Sequence, residues 1–282
     1  MAEATADTTG FTQEVARGKR FEFGNNWKKF LEILDDERIA EAELSLKKML
    51  RVETLEGRTF IDVGSGSGLF SLAARRLGAK VRSFDYDPSS VWCTTELRRR
   101  YFPDDADWVV GQGSILDEAF VASLGTYDIV YSWGVLHHTG NMWKALDLAH
   151  TLVKPGGLLF IALYNHVERL SAYWLFVKRA YCRMPRGLKG LVLYPAFVQM
   201  WLPRTILEFL KGKPFYSWRN YHKKRGMTAW RDVVDWVGGY PYEPSQPKDI
   251  FTFYFDRGYE MRNLLTTTGL GINQFVFQRV AK

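Results

Sequence analysis

Residues 59–68, TFIDVGSGSG, constrain the fold of this chain more than any other stretch. A β-branched and aromatic run ends on Asp62 and predicts a buried strand. Three glycines at alternate positions follow it and lead into residues 69–74, which have helical character. A strand, a glycine turn and a helix bring backbone N–H groups against a nucleotide-sized ligand with no Cβ in the way. The stretch therefore predicts an α/β fold with a ligand site at this turn.

The spacing of the glycines limits which class of ligand the turn can bind. It departs from the dinucleotide fingerprint Gly-x-Gly-x-x-Gly, and the phosphate-binding loop Gly-x-x-x-x-Gly-Lys-Ser/Thr is missing from the sequence. Instead, Asp-x-Gly-x-Gly-x-Gly resembles motif I of the class I S-adenosylmethionine (SAM)-dependent methyltransferases. The resemblance implies that the turn lies against the methionine part of SAM, through Asp62, Gly64, Ser65, Gly66 and Gly68.

Residues that follow the later predicted strands also resemble the motifs of this methyltransferase family. A second predicted strand (79–84) ends on Asp85, and an acid at this tip can accept both ribose hydroxyls. After a third strand, the resemblance implies that Ser114 and Ile115 lie beside the adenine, with Ser114 in place of the usual aspartate. We also assign Tyr86 and Trp133 to the cofactor site.

The order of motifs predicts the whole fold. A fourth strand (127–131) and a Lys-Pro-Gly-Gly turn before a fifth (158–163) are typical of the same family. Strands at 259–265 and 273–280 follow a helix at 249–256, and the resemblance places the seventh strand antiparallel between the fifth and sixth. We predict a Rossmann-like, seven-stranded methyltransferase sheet with a helical insertion after strand five. The predicted units are a disordered tail (1–20), an N-terminal helical arm (21–56), a SAM-binding core (57–164), the helical insertion (165–246) and a C-terminal helix with the last two strands (247–282).

The insertion is basic and aromatic. Residues 165–231 contain 14 Lys or Arg against Glu168 and Glu208, a balance of +12, so the rest of a chain with net charge +7 carries −5. Its longest stretch without formal charge, 190–203, is shorter than the roughly 20 apolar residues that span a bilayer. An amphipathic lid over the active site and a contact with the membrane surface both remain open.

The N-terminal sequence and the cysteine count indicate the cellular compartment of the protein. The N-terminus lacks the basic and apolar regions of a signal peptide. Two cysteines, Cys93 and Cys182, are too few for a disulfide framework or a structural zinc site, and we predict no metal. We expect a cytoplasmic protein, with peripheral membrane contact through residues 165–231 as an option. The sequence does not indicate an oligomeric state.

Two histidines follow strand four, where an acceptor would meet the methyl group. Ligands of open α/β sheets bind at the carboxyl ends of the strands, which places His137 and His138 at the site. His138 matches the histidine at this position in the quinone-biosynthesis O-methyltransferases, the group that residues 131–138 most resemble. A lone histidine is as readily structural, but we predict that His138 is the general base because imidazole titrates near neutrality.

The predicted acceptor site combines residues from three regions. Tyr164 and Asn165 end strand five, and their alternative role is to cap that strand. Trp27, on the N-terminal arm, either lines the site or anchors a helix on the sheet. Asp232 and Asp235 share one helix face, and we favour their pairing with Arg225 and Arg231 over substrate contact. The predicted substrate residues are Trp27, Tyr164, Asn165, Tyr221, Arg225 and Trp230.

The expected activity is methyl transfer from SAM to a small-molecule acceptor, most simply a hydroxyl on a phenol, sugar or lipid-linked headgroup. The alternatives are an N-methyltransferase of a small molecule or peptide, a nucleic-acid methyltransferase that uses the basic insertion, and a non-catalytic SAM-binding protein. Absent motifs argue against DNA methylation, since residues 132–135 do not read Asp/Asn-Pro-Pro-Tyr/Phe and neither cysteine follows a proline. The acceptor atom, whether oxygen, nitrogen or carbon, stays open because one fold serves many reactions.

Overall fold

A computed structural model describes residues 8–219 and 229–281. The strands are β1 Thr59–Val63, β2 Lys80–Asp85, β3 Trp108–Gln112, β4 Tyr127–Trp133, β5 Val153–Tyr164, β6 Tyr259–Leu265 and β7 Ile272–Arg279. They form one seven-stranded sheet in the order β3-β2-β1-β4-β5-β7-β6. Strands β1 to β5 run parallel, and β7 pairs antiparallel with both β5 and β6. The predicted fold class and strand order are therefore confirmed.

Helices cover both faces of the sheet, as a parallel sheet requires. The described helices are α1 Thr8–Ala16, α2 Gly24–Leu31, α3 Asp36–Leu50, α4 Leu69–Arg76, α5 Pro88–Tyr101, α6 Glu118–Ser123, α7 Met142–Thr151, α8 Glu168–Arg183, α9 Gly190–Leu210, α10 Tyr216–Arg219, α11 Ala229–Gly238 and α12 Pro247–Phe255, with 3-10 turns at Leu136–His138 and Arg186–Leu188. Helices α3, α4 and α5 bury one face of the sheet around Phe60 and Trp108. Helices α6, α7 and α12 bury the other face around Ile61 and Leu159.

The start of α5 fixes the chain directly after β2. The Asp87 carboxylate accepts a hydrogen bond from the Ser89 N–H at 2.8 Å, and Pro88 occupies the first turn. A short acidic cap followed by proline is a strong helix start. The turn between β2 and α5 therefore holds Asp85 at the carboxyl edge of the sheet.

Four α-helices, α8 to α11, lie in the described parts of the predicted insertion (residues 165–246), and three of them share a small core. Helices α8, α9 and α11 bury Trp174, Leu193, Trp201 and Val233 against one another. Partly buried residues from other parts of the chain, among them Phe21, pack on this core. None of the helices in the described ranges is long and apolar enough to cross a membrane.

The predicted disorder of residues 1–20 is wrong for residues 8–20. Helix α1 lies there, and its Phe11 is buried against the Tyr86 ring at a centroid distance of 5.4 Å. Arg20 donates hydrogen bonds to the carbonyls of His138 (2.9 Å) and Thr139 (3.1 Å). The polar composition hid these few contacts, which tie the segment to the loops that follow β2 and β4. Residues 1–7 lie outside the described ranges.

Candidate active site

The turn between β1 and α4 requires glycine at three of its positions. Gly64, Gly66 and Gly68 have φ values of +80°, +55° and +82°, a region that residues with a Cβ rarely adopt. A Cβ on Gly64 would lie 2.3 Å from Cγ1 of Val135, and one on Gly66 would lie 3.2 Å from Nε1 of Trp27. Close approach and backbone conformation thus both select glycine at these positions.

A buried chain of hydrogen bonds orients Asp62. The Trp108 indole donates to Ser83 Oγ at 3.0 Å, Ser83 donates to Ser71 Oγ at 2.7 Å, and Ser71 donates to Asp62 Oδ2 at 2.6 Å. Burial raises the pKa of Asp62 to about 7, because desolvation disfavours the charged carboxylate. The carboxyl group is fixed in place and lacks a cationic partner among these contacts.

Asp85 is held at the tip of β2 by two backbone donors. Its Oδ2 accepts from the Gly66 N–H and its Oδ1 from the Asp87 N–H, both at 2.9 Å. Burial raises its pKa to about 6. Each carboxylate oxygen has further lone pairs, so the group remains able to accept two hydroxyl donors.

One cavity of about 1060 Å³ runs along the carboxyl edge of the sheet. Ligand pockets usually span about 300–1,000 Å³, so this cavity has room for two molecules. Gly68 is not in its wall and instead allows α4 to approach α5, since a Cβ there would lie 2.8 Å from Cα of Thr94. The other predicted cofactor residues all line it: Asp62, Gly64, Ser65, Gly66, Asp85, Tyr86, Ser114, Ile115 and Trp133. We call this end the cofactor half.

Aromatic rings enclose the opposite end, which we call the acceptor half. Its wall includes Phe23, Tyr164, Trp174, Trp236 and His138. The ring centroids of Tyr164 and Trp236 are 5.4 Å apart, and those of Phe23 and His138 are 5.0 Å apart. Two of these residues, Trp174 and Trp236, come from helices of the insertion.

His138 has a defined tautomer. Its Nδ1 lies 2.5 Å from the carbonyl oxygen of Pro241, so Nδ1 carries the proton and Nε2 keeps its lone pair. Burial lowers the pKa of His138 to about 3. Our expectation that this imidazole titrates near neutrality is therefore wrong: His138 is neutral throughout the physiological range.

His137 is placed differently from its neighbour. It is fully buried, does not line the cavity, and accepts a hydrogen bond at Nδ1 from the Tyr164 N–H at 3.3 Å. Burial lowers its pKa well below the ordinary value. The structure gives His137 a role in supporting the end of β5, and our inclusion of it among catalytic residues is corrected.

The remaining predicted substrate residues separate into three groups. Trp27 lies beside Gly66 and so belongs to the cofactor half. Asn165 donates to the carbonyls of Thr267 (3.2 Å) and Gly269 (3.0 Å), while Trp230 packs in the core of the insertion; neither lines the cavity. The structure assigns these two to packing. Tyr221 and Arg225 lie outside the described residues.

Asp235, for which we predicted pairing with Arg225 and Arg231, lines the cavity. Its carboxylate accepts a short hydrogen bond from the Asn26 amide and faces the cavity together with Asp232. Burial raises the pKa of Asp235 to about 7. The shared helix face of the two acids was visible in the sequence, but the contact with the N-terminal arm was not.

Lys178 lies behind the same wall. It is fully buried, hydrogen-bonds the Trp236 carbonyl, and has its Nζ 4.1 Å from the Trp236 ring centroid and 4.9 Å from that of Tyr242. Burial lowers its pKa to about 7. When this amine is protonated, the quadrupoles of the surrounding ring faces stabilise its charge.

The cofactor half suits a ligand that carries positive charge and hydroxyl donors. The acids Asp62, Asp85 and Asp87 line it, and burial raises the pKa of each. The Tyr131 hydroxyl also lines it, buried and without a hydrogen-bond partner in the described residues. SAM has an ammonium group, a sulfonium and ribose hydroxyls, so these residues fit it.

Comparison with known proteins agrees with this geometry. A family model described as a methyltransferase domain matches residues 35–194, more than half of the chain, and the chain belongs to that family. The chain is a SAM-dependent methyltransferase, and its cofactor is SAM.

Two ubiquinone biosynthesis O-methyltransferases are similar to part of the chain. The ubiquinone biosynthesis O-methyltransferase of Xanthomonas oryzae pv. oryzae (strain PXO99A) is 27% identical over 179 residues, 62% of this chain and 73% of that protein. The protein of the same name from Rhizobium etli (strain CIAT 652) is 28% identical over 135 residues, 47% of this chain and 52% of that one.

Solved structures share the fold at low identity. Magnesium protoporphyrin IX methyltransferase from Synechocystis PCC 6803 with bound SAM matches at a TM-score of 0.53 and 11% identity, covering 99% of this chain and 100% of that one. An O-methyltransferase family protein from Burkholderia thailandensis matches at 0.55 and 13%, covering 98% and 69%. At these identities the likeness concerns the fold alone.

Proposed function

We propose that this protein transfers the methyl group of SAM to a hydroxyl on a small aromatic molecule. The acceptor half carries this proposal, because its ring faces surround one neutral imidazole whose tautomer is fixed by Pro241. Aromatic walls favour a planar apolar acceptor through offset and edge contacts. The names of the relatives, ubiquinone biosynthesis O-methyltransferases, support oxygen as the acceptor atom.

In this proposal the residues of the cofactor half bind SAM, and those of the acceptor half position the acceptor and accept its proton. SAM supplies a methyl group that its sulfonium already activates. Asp85 would hold the ribose, and Asp62 and the glycine turn would hold the methionine part. In the acceptor half, Nε2 of His138 would accept the hydroxyl proton, which becomes strongly acidic as the oxygen bonds to carbon, so even a weak base suffices. Positioning and exclusion of water then carry much of the rate enhancement.

The insertion would act as the lid of the acceptor half. Trp174 of α8, Met200 of α9 and Trp236 of α11 line the cavity, while their helices share a core. A lid of this kind excludes water and fits the acceptor, which are the tasks left to the protein once the methyl group is activated. Substitutions in this wall should therefore change the selectivity for acceptors more than the affinity for SAM.

We expect the protein to work in the cytoplasm. Cys93 and Cys182 are both free, which suits a reducing compartment. Fractionation of the native cells with antibody detection would test this location.

Methyl transfer from tritium-labelled SAM tests the proposal. We would incubate the protein with fractionated cell extract and with a panel of catechols and hydroxybenzoates, then identify the labelled products. An O-methylated small aromatic product is the expected outcome. Label in an amine or in nucleic acid would contradict it, and in the nucleic-acid case activity would fall steeply between low and physiological salt.

The pH profile separates two proton acceptors. With a pKa of about 3, His138 is unprotonated above pH 5, so a reaction that depends on it has a flat kcat from pH 5 to 9. With a pKa of about 7, Asp235 would instead make kcat rise about tenfold per pH unit below pH 7 and level off above it. We expect the profile of Asp235→Asn to have the same shape as that of wild type; a rising limb that Asp235→Asn removes would transfer the role to Asp235.

A further inference from the structure

The outward face of α9 is apolar where a surface helix is normally polar. Its residues recur every three or four positions, so they lie on one side of the helix, and each is 50–69% exposed. The opposite side is buried through Leu193, Ala196 and Trp201. The stripe consists of Leu191, Tyr194, Val198, Leu202, Ile206 and Phe209.

Basic residues frame this stripe at both ends. Arg186 and Lys189 precede α9, and Lys211, Lys213 and Arg219 follow it. Within the helix the charged residues are Arg204 and Glu208, which pair with each other at 3.5 Å and so add no net charge. The result is an apolar band about 30 Å long with positive charge at its two ends.

We propose that the apolar stripe of α9 docks this protein on an anionic membrane surface. The stripe would enter the boundary between headgroups and acyl chains, and the flanking lysines and arginines would contact lipid phosphates. A second copy of the chain is the weaker partner for this face, because two such faces would bring the basic residues at the ends of one α9 close to those of the other.

The position of α9 connects this surface to the active site. Met200, on the inner side of the helix, lines the acceptor half, and Trp174 of the neighbouring α8 lines it as well. Helix α9 would therefore lie between the bilayer and the cavity. Docking and acceptor access would then share one structural element.

Vesicle flotation of the full chain tests the docking without any measurement of methyl transfer. We expect wild type to bind phosphatidylglycerol-containing vesicles at least about tenfold more strongly than pure phosphatidylcholine vesicles, and to lose most of this preference in 0.5 M salt. Phe209→Asp and Leu202→Asp should each weaken binding about tenfold or more, because each places a charge in the docked face. The double variant Lys211→Glu with Lys213→Glu should lose the preference for anionic lipid.

Matched control variants in α12 test whether vesicle binding depends on α9 specifically. Phe255→Asp alters a similarly exposed phenylalanine near the end of α12, and Lys248→Glu reverses an exposed lysine there; both should bind vesicles like wild type. Binding that survives the α9 variants, or no binding to anionic vesicles, would overturn the proposal. So would a dimer in sedimentation velocity that Phe209→Asp dissociates, since the face would then be an interface between copies.

Discussion

The two halves of the cavity are built from different parts of the chain and in different ways. The cofactor half lies on strand ends and the glycine turn, and its polar groups are held by backbone donors and by the serine chain behind Asp62. The acceptor half is assembled from rings that come from the N-terminal arm, the end of β5 and the insertion. The polar groups of the cofactor half are thus determined locally, with Trp27 added from the N-terminal arm, whereas the acceptor half depends on contacts between residues far apart in sequence.

The largest effect should come from Gly66→Val. Valine strains the backbone at φ +55° and puts a side chain into the cavity beside Trp27. We expect calorimetry to detect no SAM binding while circular dichroism stays unchanged. Gly57→Val is the matched control, because Gly57 also has positive φ (+72°) but open space around its Cβ position; if it lost SAM binding equally, backbone strain alone would account for the result.

A substitution in the other half should separate chemistry from cofactor binding. His138→Gln keeps much of the size but cannot act as a base, so we expect turnover to fall about 10²-fold and SAM affinity to change less than about twofold. His137→Gln removes a buried imidazole outside the cavity. His137→Gln should lower Tm by several degrees and leave turnover within a few-fold of the wild-type value. If His137→Gln lowered kcat more than His138→Gln, then His137 and not His138 would be the proton acceptor.

The sequence predicts the two halves unequally, for a physical reason. Asp62, Gly66 and Asp85 act within one βαβ unit, where their spacing along the chain fixes their spacing in space. Asp235 meets Asn26 only because two distant helices pack together, and no local pattern specifies that contact. Asn165 and Trp230 had suitable chemistry for a substrate site, but tertiary packing directs them to a loop and to the insertion core.

A smaller change tests how far Asp85 controls the ribose position. Asp85→Ala removes the acceptor for two hydroxyl donors, so SAM affinity should fall by about 2 kcal/mol, roughly 30-fold. Asp107→Ala, at the other end of the sheet, removes a half-exposed carboxylate that pairs with Arg75 and Lys80 and should leave affinity unchanged. Unchanged calorimetric affinity in Asp85→Ala would remove this residue from the cofactor half.

The smallest expected effect is on stability. It tests whether the buried acid of the cofactor half lowers the free energy of unfolding of the SAM-free protein. The pKa of Asp62 is about 7 in the folded protein against 3.8 ordinarily. Between these pH values the folded state binds a proton that the unfolded state has lost, so this group makes stability fall as pH rises from about 4 to 7.

Asp62→Asn has no such titration, and we expect the SAM-free variant to be more stable than wild type at pH 8 and not at pH 4. We expect a gain on the order of 1 kcal/mol, a few degrees in Tm, because the cost of burying the amide N–H groups offsets part of the desolvation that the substitution relieves. Asp107→Asn, which neutralises a half-exposed carboxylate that pairs with Arg75 and Lys80, should give no gain in stability at pH 8. Thermal unfolding at pH 4 and pH 8 measures this difference in Tm between Asp62→Asn and wild type. An equal difference at both pH values would mean that desolvation of Asp62 does not govern the stability change, and that the cofactor half, like the acceptor half, is stabilised chiefly by packing.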